Sequence, residues 1–153
     1  MKESPFIVWR EIFAVGHQAL DAEHRRLVDA INKIHSAERA GQMPVQVTPM
    51  LNALLVAAEQ HFEHENSVMR DIGRDPKVSE VRRVAFLQAY GESKIDKHIS
   101  AHESELSKLR SIIGTVGLGA NPAWHKLNDE LRDWFVQHVI KYDAHLKAAF
   151  QAR

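Results

Sequence analysis

Apolar side chains recur every three to four residues along most of the 153-residue chain, which is the spacing of amphipathic α-helices. The spacing predicts four long helices, over about 20–39, 49–72, 93–113 and 121–149. No segment alternates with the period of two that a half-buried strand shows, so the sequence predicts an all-α fold.

Cap and breaker residues set the predicted helix ends. Thr48 and Pro49 are typical of a cap and first turn, and Asn121 with Pro122 repeats that pattern at the last helix. Gly73 is expected to end the second helix, since glycine is common just past a helix end.

Two further segments flank or interrupt these helices. Residues 1–16 form an apolar N-terminal arm, and a short extra helical segment near 76–90 is expected between Asp75 and Gly91. Short loops make consecutive helices antiparallel, so we expect an up-down-up-down four-helix bundle. A chain of this length suits a single domain over 1–153.

Composition excludes several classes of function. The chain has no cysteine, so it has no disulfides, thiolate clusters or thiol nucleophiles. Its formal net charge is zero, which gives no reason to expect a nucleic-acid partner. No run of eighteen apolar residues occurs, so membrane insertion is not expected. The first ten residues lack the layout of a signal peptide. A chain complete at Met1 and a cytoplasmic location are expected.

The chain contains ten histidines but only two tyrosines, and several of the histidines lie on the inward faces of predicted helices. A single inward histidine is usually a hydrogen-bonded core residue. Here all four long helices carry one, and two helices add a second donor four residues later. Neutral imidazole and carboxylate suit zinc, iron, copper or nickel. Five histidines with carboxylates exceed a closed four-ligand zinc site, and two carboxylate-bridged metals account for them better. These inward donors are His24, His61, Glu65, His98, His102 and His138.

Four motifs in this order resemble the bacterial form of the hemerythrin family, and the resemblance covers nearly the whole chain. The motifs are Trp9, Phe13, Gly16, Leu20-Asp21, His24, Leu27 and Ile31-Asn32; His61-Phe62-Glu63-His64-Glu65 with Met69; His98-x3-His102; and Trp134-Phe135, His138 and Asp143. Each motif alone is weak, but together they place all seven ligand positions of the family on the expected helices.

The resemblance implies a non-haem centre of two iron ions, bridged by an oxygen atom and by carboxylates. His98, His102 and His138 would bind one iron. His24 and His61 would bind the other, which keeps an open position where dioxygen adds as a peroxide. The resemblance makes Glu65 and Asp143 the bridging carboxylates.

Asp143 is the position that helical periodicity does not choose. It follows His138 by five residues, about 140° around an ideal helix, and His145 is better aligned with His138. A local π-type widening would return the fifth residue to the same face. The family spacing favours Asp143.

Four residues are candidates for the wall of an oxygen pocket: Glu105, Trp134, Val139 and Ile140. Glu105 stands where the family usually has an aromatic residue, and lies about 20° from His98 around the helix. Its carboxylate could contact dioxygen, supply a proton, occupy the open iron position or turn to solvent. Glu23 and Asn66 also replace residues usual beside the ligands, in either a supporting or a surface role.

The resemblance implies a dioxygen-binding protein for storage, delivery or scavenging, and not an enzyme. One alternative is an oxygen or redox sensor that signals to a partner protein, for which residues 75–91 are a possible docking segment. Another is a di-iron oxidase, peroxidase or nitric-oxide-handling enzyme. The predominance of histidine over carboxylate among the donors favours oxygen binding.

Overall fold

A computed structural model of the chain describes residues 5–71, 80–117, 121–143 and 146–147. Within these ranges the secondary structure is helical and contains no strand, which confirms the all-α prediction. After a short 3₁₀ turn the long helices follow one another, and the last of them continues directly into a π turn. The elements are the 3₁₀ turn Glu11–Phe13, α1 Gln18–Arg39, α2 Pro44–Asp71, α3 Glu80–Gly117, α4 Asn121–Gln137 and the π turn His138–Asp143.

The four helices form a bundle around a shared core. Each helix contacts the next along the chain, and α4 contacts α1. Glu59 of α2 contacts Arg110 of α3, and Glu65 contacts His98, so residue numbers rise along one helix as they fall along the other. The core side chains come from all four helices, and include Leu27, Ile31, Leu51, Leu54, Leu109, Leu127 and Leu131.

The described part of the N-terminal arm is fastened to α1. The Ile7 N–H donates to Asn32 Oδ1 at 2.7 Å, and Asn32 Nδ2 donates back to the Ile7 carbonyl at 3.0 Å. Gly16 has a φ of 86°, a left-handed conformation that suits glycine, and the Gly16 N–H reaches Asp21 Oδ2 at 3.2 Å. These contacts hold Phe13 in the core beside α1.

The start predicted for α2 is wrong, because the helix begins at Pro44 and not at Pro49 after a Thr48 cap. The Met43 N–H donates to Gln46 Oε1 at 2.7 Å, which is one half of a capping box. Pro44 takes the first helical position, where its missing N–H costs nothing. Thr48 Oγ1 donates to the Pro44 carbonyl at 3.1 Å instead of capping, and Pro49 lies inside the helix.

The prediction of a separate helical segment near 76–90 is also wrong for the residues that the structure describes. Residues 80–90 are the first turns of α3, which runs without a break through Gly91 to Gly117. A glycine inside a helix costs only about 1 kcal/mol relative to alanine, too little to end a helix of 38 residues. Residues 72–79, with the predicted stop at Gly73 and the opening at Asp75, lie outside the described residues.

The last helix begins at Asn121 as predicted, and its regular part ends earlier than expected, at Gln137. The predicted end near 149 falls outside the described residues. Among the helices of the described ranges, none is both long and apolar enough to cross a lipid bilayer.

Candidate metal centre

Seven polar side chains meet inside the bundle, and each is at most 1% exposed. α1 and α2 contribute three of them, α3 contributes two, and the π turn contributes two. They are His24, His61, Glu65, His98, His102, His138 and Asp143. The structure therefore brings together all seven residues that the sequence singled out as metal ligands.

Glu65 lies between two sets of histidines. Its Oε1 is 2.9 Å from His102 Nε2 and 3.0 Å from His98 Nε2. Its Oε2 is 3.1 Å from His61 Nε2, 3.8 Å from His138 Nε2 and 4.0 Å from His24 Nε2. The two carboxylate oxygens thus face different imidazole nitrogens, which is the placement that a bridging carboxylate requires.

Asp143 reaches the same cluster from the opposite side because the helix widens. Residues His138–Asp143 form a π turn, which confirms the widening that a five-residue spacing needs. Asp143 Oδ1 lies 3.2 Å from His98 Nε2, and Oδ2 lies 3.0 Å from His24 Nε2 and 2.7 Å from His138 Nε2. His145 lies outside the described residues.

The donor atoms fall into two compact groups that share both carboxylates. Within each group the donor atoms lie within 4.8 Å of one another. One group is His24, His61, Glu65, His138 and Asp143; the other is Glu65, His98, His102 and Asp143. The resemblance places His138 on the same metal as His98 and His102. In the structure, however, His138 Nε2 lies beside Asp143 Oδ2, the oxygen that also faces His24 Nε2. The division of the histidines between two metals therefore stays a prediction.

The cluster has donor atoms that the protein itself does not satisfy. Glu65 Oε2, Asp143 Oδ2 and His138 Nε2 are buried and have close neighbours, but make no hydrogen bond of good geometry. Buried polar atoms without hydrogen bonds cost about 1–3 kcal/mol each. In addition, His24 Nε2 and His61 Nε2 lie only 3.1 Å apart. Metal ions between these nitrogen and oxygen atoms would satisfy them, so the donor set fits iron.

Hydrogen bonds on the far side of two rings fix their orientation. His24 Nδ1 donates to the Phe13 carbonyl at 2.7 Å, and His102 Nδ1 donates to Asn66 Oδ1 at 2.6 Å. A proton held on Nδ1 leaves Nε2 free to bind a metal. The supporting role, which the sequence left open for Asn66, is therefore the observed one.

Glu23 supports a third ring and extends towards the surface. Its Oε1 accepts from His61 Nδ1 at 2.8 Å, and its Oε2 accepts from His64 Nδ1 at 2.7 Å. The His64 side chain is 38% exposed, so Glu23 connects the buried cluster to the bundle surface. Sequence reasoning named Glu23 without choosing its role, because helical spacing does not fix where so long a side chain ends.

The four pocket candidates differ in where their side chains lie. Glu105 turns inward, but its Oε2 lies 2.8 Å from His138 Nδ1, on the side of the ring away from the cluster. The Glu105 carboxylate therefore does not lie among the histidine Nε2 atoms that face the centre of the cluster. Ile140 is 46% exposed, so much of its side chain faces away from the buried cluster. Val139 and Trp134 are buried, as expected.

Phe62 is an apolar residue that packs directly on the cluster, a role that its motif position did not reveal. Its ring stacks on His102 with centroids 4.4 Å apart and an interplanar angle of 2°. It also lies 4.7 Å from the ring of His138. The Phe62 side chain is only 1% exposed, and it belongs to the apolar core that adjoins the cluster.

Electrostatic pairing in the metal-free protein follows from this geometry. Burial alone lowers the pKa of His61, but hydrogen bonds to Glu23 and Glu65 outweigh it and raise the pKa to about 9. Burial would raise the pKa of Glu65, but its contacts with the histidine rings hold that pKa well below its usual range. Burial also opposes ionisation of Asp143, and the charge of His138 helps to keep its pKa low.

We expect the metal-free protein to be most stable at about pH 5–6.5 and to lose stability towards pH 9. The pKa of His61 is higher in the folded chain than the value of 6.5 expected on unfolding, so its contribution is full below 6.5 and lost as pH passes about 9. The loss is roughly 3 kcal/mol at most. Glu65 and Asp143, with lowered pKa values, contribute above about pH 4 and lose that contribution in acid.

Urea unfolding in the presence of a chelator, repeated from pH 4 to 10, measures this dependence. Glu23→Gln should reduce the alkaline loss, because it removes one of the two carboxylates that raise the pKa of His61. A free energy of unfolding that stays constant between pH 6 and 9.5 would contradict the assignment.

Comparison of the sequence with known proteins finds matches to a single family. A family model described as "Hemerythrin HHE cation binding domain" matches residues 15–150. The chain is 25% identical to a bacteriohemerythrin of Ralstonia nicotianae over 139 residues, which cover 91% of this chain and 85% of that protein. It is 20% identical to one of Campylobacter jejuni over 143 residues, 94% of each chain. One from Pseudomonas aeruginosa PAO1 is 30% identical over 67 residues, 44% of this chain and 43% of that protein.

Proposed function

This chain belongs to the hemerythrin family, whose domain binds non-haem iron and oxygen, and on that premise we propose that it holds two iron ions and binds dioxygen reversibly. The observation that carries the proposal is the sharing of Glu65 and Asp143 between two groups of histidine nitrogens. A single metal would need only one of these groups, and two bridged metals would use both.

The seven buried side chains are the proposed ligands. Glu65 and Asp143 would bridge, His24 and His61 would hold the ion with the open position, and His98, His102 and His138 would hold the other. When bound, the two ions would supply the two electrons that dioxygen binding uses.

The protein's own part in this function is to orient the donors and to exclude water. The Phe13 carbonyl, Glu23 and Asn66 hold outer ring nitrogens, so that the Nε2 atoms point inward. Phe62 and Trp134 lie beside the cluster with ring centroids 6.0 Å apart, and both are buried. A dry surrounding of this kind slows loss of the bound oxygen to side reactions with water.

The position of Glu105 favours binding over turnover. A catalyst that reduces dioxygen needs a proton donor within about 3 Å of the oxygen atoms. The Glu105 carboxylate, the candidate donor from the sequence, instead contacts the outward-facing nitrogen of His138. We therefore propose storage, delivery or scavenging of dioxygen in the cytoplasm, and leave signalling through residues 75–91 as a prediction.

Reversibility under alternating gases tests the proposal. Protein loaded with ferrous iron without air should develop visible absorption bands when dioxygen is added, and lose them when argon removes it, over several cycles. Zinc-loaded protein is the matched control and should show no bands in either gas. Oxidation that is complete after the first exposure, with no change on removing dioxygen, would contradict reversible binding.

A further inference from the structure

The imidazole of His138 is held differently from those of His24 and His102. Those two rings donate to neutral oxygens, a carbonyl and an amide. His138 Nδ1 instead lies 2.8 Å from a carboxylate oxygen of Glu105, whose side chain is only 14% exposed. The outer side of this ring therefore faces a carboxylate at a partly buried site. The two atoms are in close contact but make no hydrogen bond of good geometry.

The contact joins two elements of the bundle. Glu105 belongs to α3, whereas His138 begins the π turn that follows α4. The Trp134 Nε1–H donates to the backbone carbonyl of Glu105 at 3.0 Å, which fastens α4 to the same point of α3.

A cavity of about 150 Å³ borders Glu105 and is large enough for a few water molecules. Lys108 and Lys141 also line this cavity. Trp134 and His138 line it as well, so the contact between Glu105 and His138 lies at the cavity wall.

We propose that Glu105 is a positioning residue of the metal centre, which holds the His138 ring with Nε2 inward and makes that nitrogen a stronger metal donor. A carboxylate behind a ligating imidazole fixes the ring and raises its basicity, and losing such a partner commonly costs 10–100-fold in metal affinity. Glu23 does the same for His61, but divides its two oxygens between His61 and His64. The identity of the metal rests on the proposed function; the contact between Glu105 and His138 does not.

Zinc affinity separates this role from oxygen chemistry, because zinc binds without redox change. Glu105→Leu should weaken zinc binding, measured by competition with a chelator, by roughly 10- to 100-fold. Glu105→Gln keeps an acceptor oxygen without the charge, so its loss should be smaller. Glu103→Gln is the matched control, since Glu103 is exposed two positions earlier on α3, and it should bind zinc like the unmodified protein.

Nitrogen-15 NMR of the metal-free protein gives a second measurement that does not depend on metal binding. The His138 Nδ1–H resonance should lie downfield in the unmodified chain and move upfield in Glu105→Leu. If Glu105→Leu does not fold, the isosteric Glu105→Gln carries both measurements. Zinc binding within twofold of the unmodified protein, together with an unmoved Nδ1–H resonance, would overturn the proposal. If both results are as expected but the unmodified protein, loaded with iron, does not bind dioxygen reversibly, only the proposed function is overturned.

Discussion

Replacing Glu65 with alanine should abolish binding at both metal positions and leave less than one metal ion per chain. Its two oxygens face different histidine nitrogens, at 2.9 and 3.0 Å on one side and at 3.1, 3.8 and 4.0 Å on the other. Each ion would lose a ligand, and Asp143 would be left as the single carboxylate against two cations. Metal analysis after loading and desalting measures the effect.

Glu63→Ala is the matched control for this experiment. Glu63 lies two residues earlier on the same helix and is exposed, so its loss should leave the metal content unchanged. Circular dichroism of both variants checks that α2 is still formed. A folded Glu65→Ala protein that retains two metal ions per chain would contradict the bridging role.

Replacing Phe62 with alanine should lower the free energy of unfolding of the metal-free protein by about 3–5 kcal/mol. The ring is 1% exposed, and it packs against the rings of His102, His138 and Trp134. Its loss removes apolar burial and leaves a cavity beside charged groups, which the rigid bundle can fill only in part. Urea unfolding at pH 6 measures the difference.

Val56→Ala is a suitable comparison, because Val56 is on the same helix and 51% exposed. A surface substitution of this kind should change stability by no more than about 0.5 kcal/mol. If Phe62→Ala costs less than 1 kcal/mol, the ring does not have the packing role that its contacts indicate.

Helical periodicity was enough to locate most of the candidate centre. His61 with Glu65, and His98 with His102, are spaced four apart, so each pair shares a helix face whatever the details of packing. Periodicity alone could not identify Asp143, because a residue five positions after His138 shares its helix face only where the helix widens into a π turn. The family spacing supplied that residue, and the π turn at His138–Asp143 explains it.

What the sequence did not predict depends on side-chain reach and on competing local signals. Glu105 lies on the inward face as its rotation predicted, but where a carboxylate ends depends on torsions that spacing does not fix. Thr48-Pro49 looks like a helix start, yet Pro44 with Gln46 provides one earlier in the chain. Gly91 suggested a break in the sequence, but the free-energy cost of one glycine inside a helix is too small to interrupt α3. The helix therefore continues through it.

The number of iron ions per chain, and their magnetic coupling, test the central claim most directly. Protein loaded anaerobically with ferrous iron should contain two iron ions per chain. After oxidation, Mössbauer spectroscopy should show coupled ferric ions with a diamagnetic ground state, as expected for metals that share Glu65 and Asp143. One iron per chain, or two ferric ions that behave as independent paramagnets, would contradict the shared-carboxylate centre.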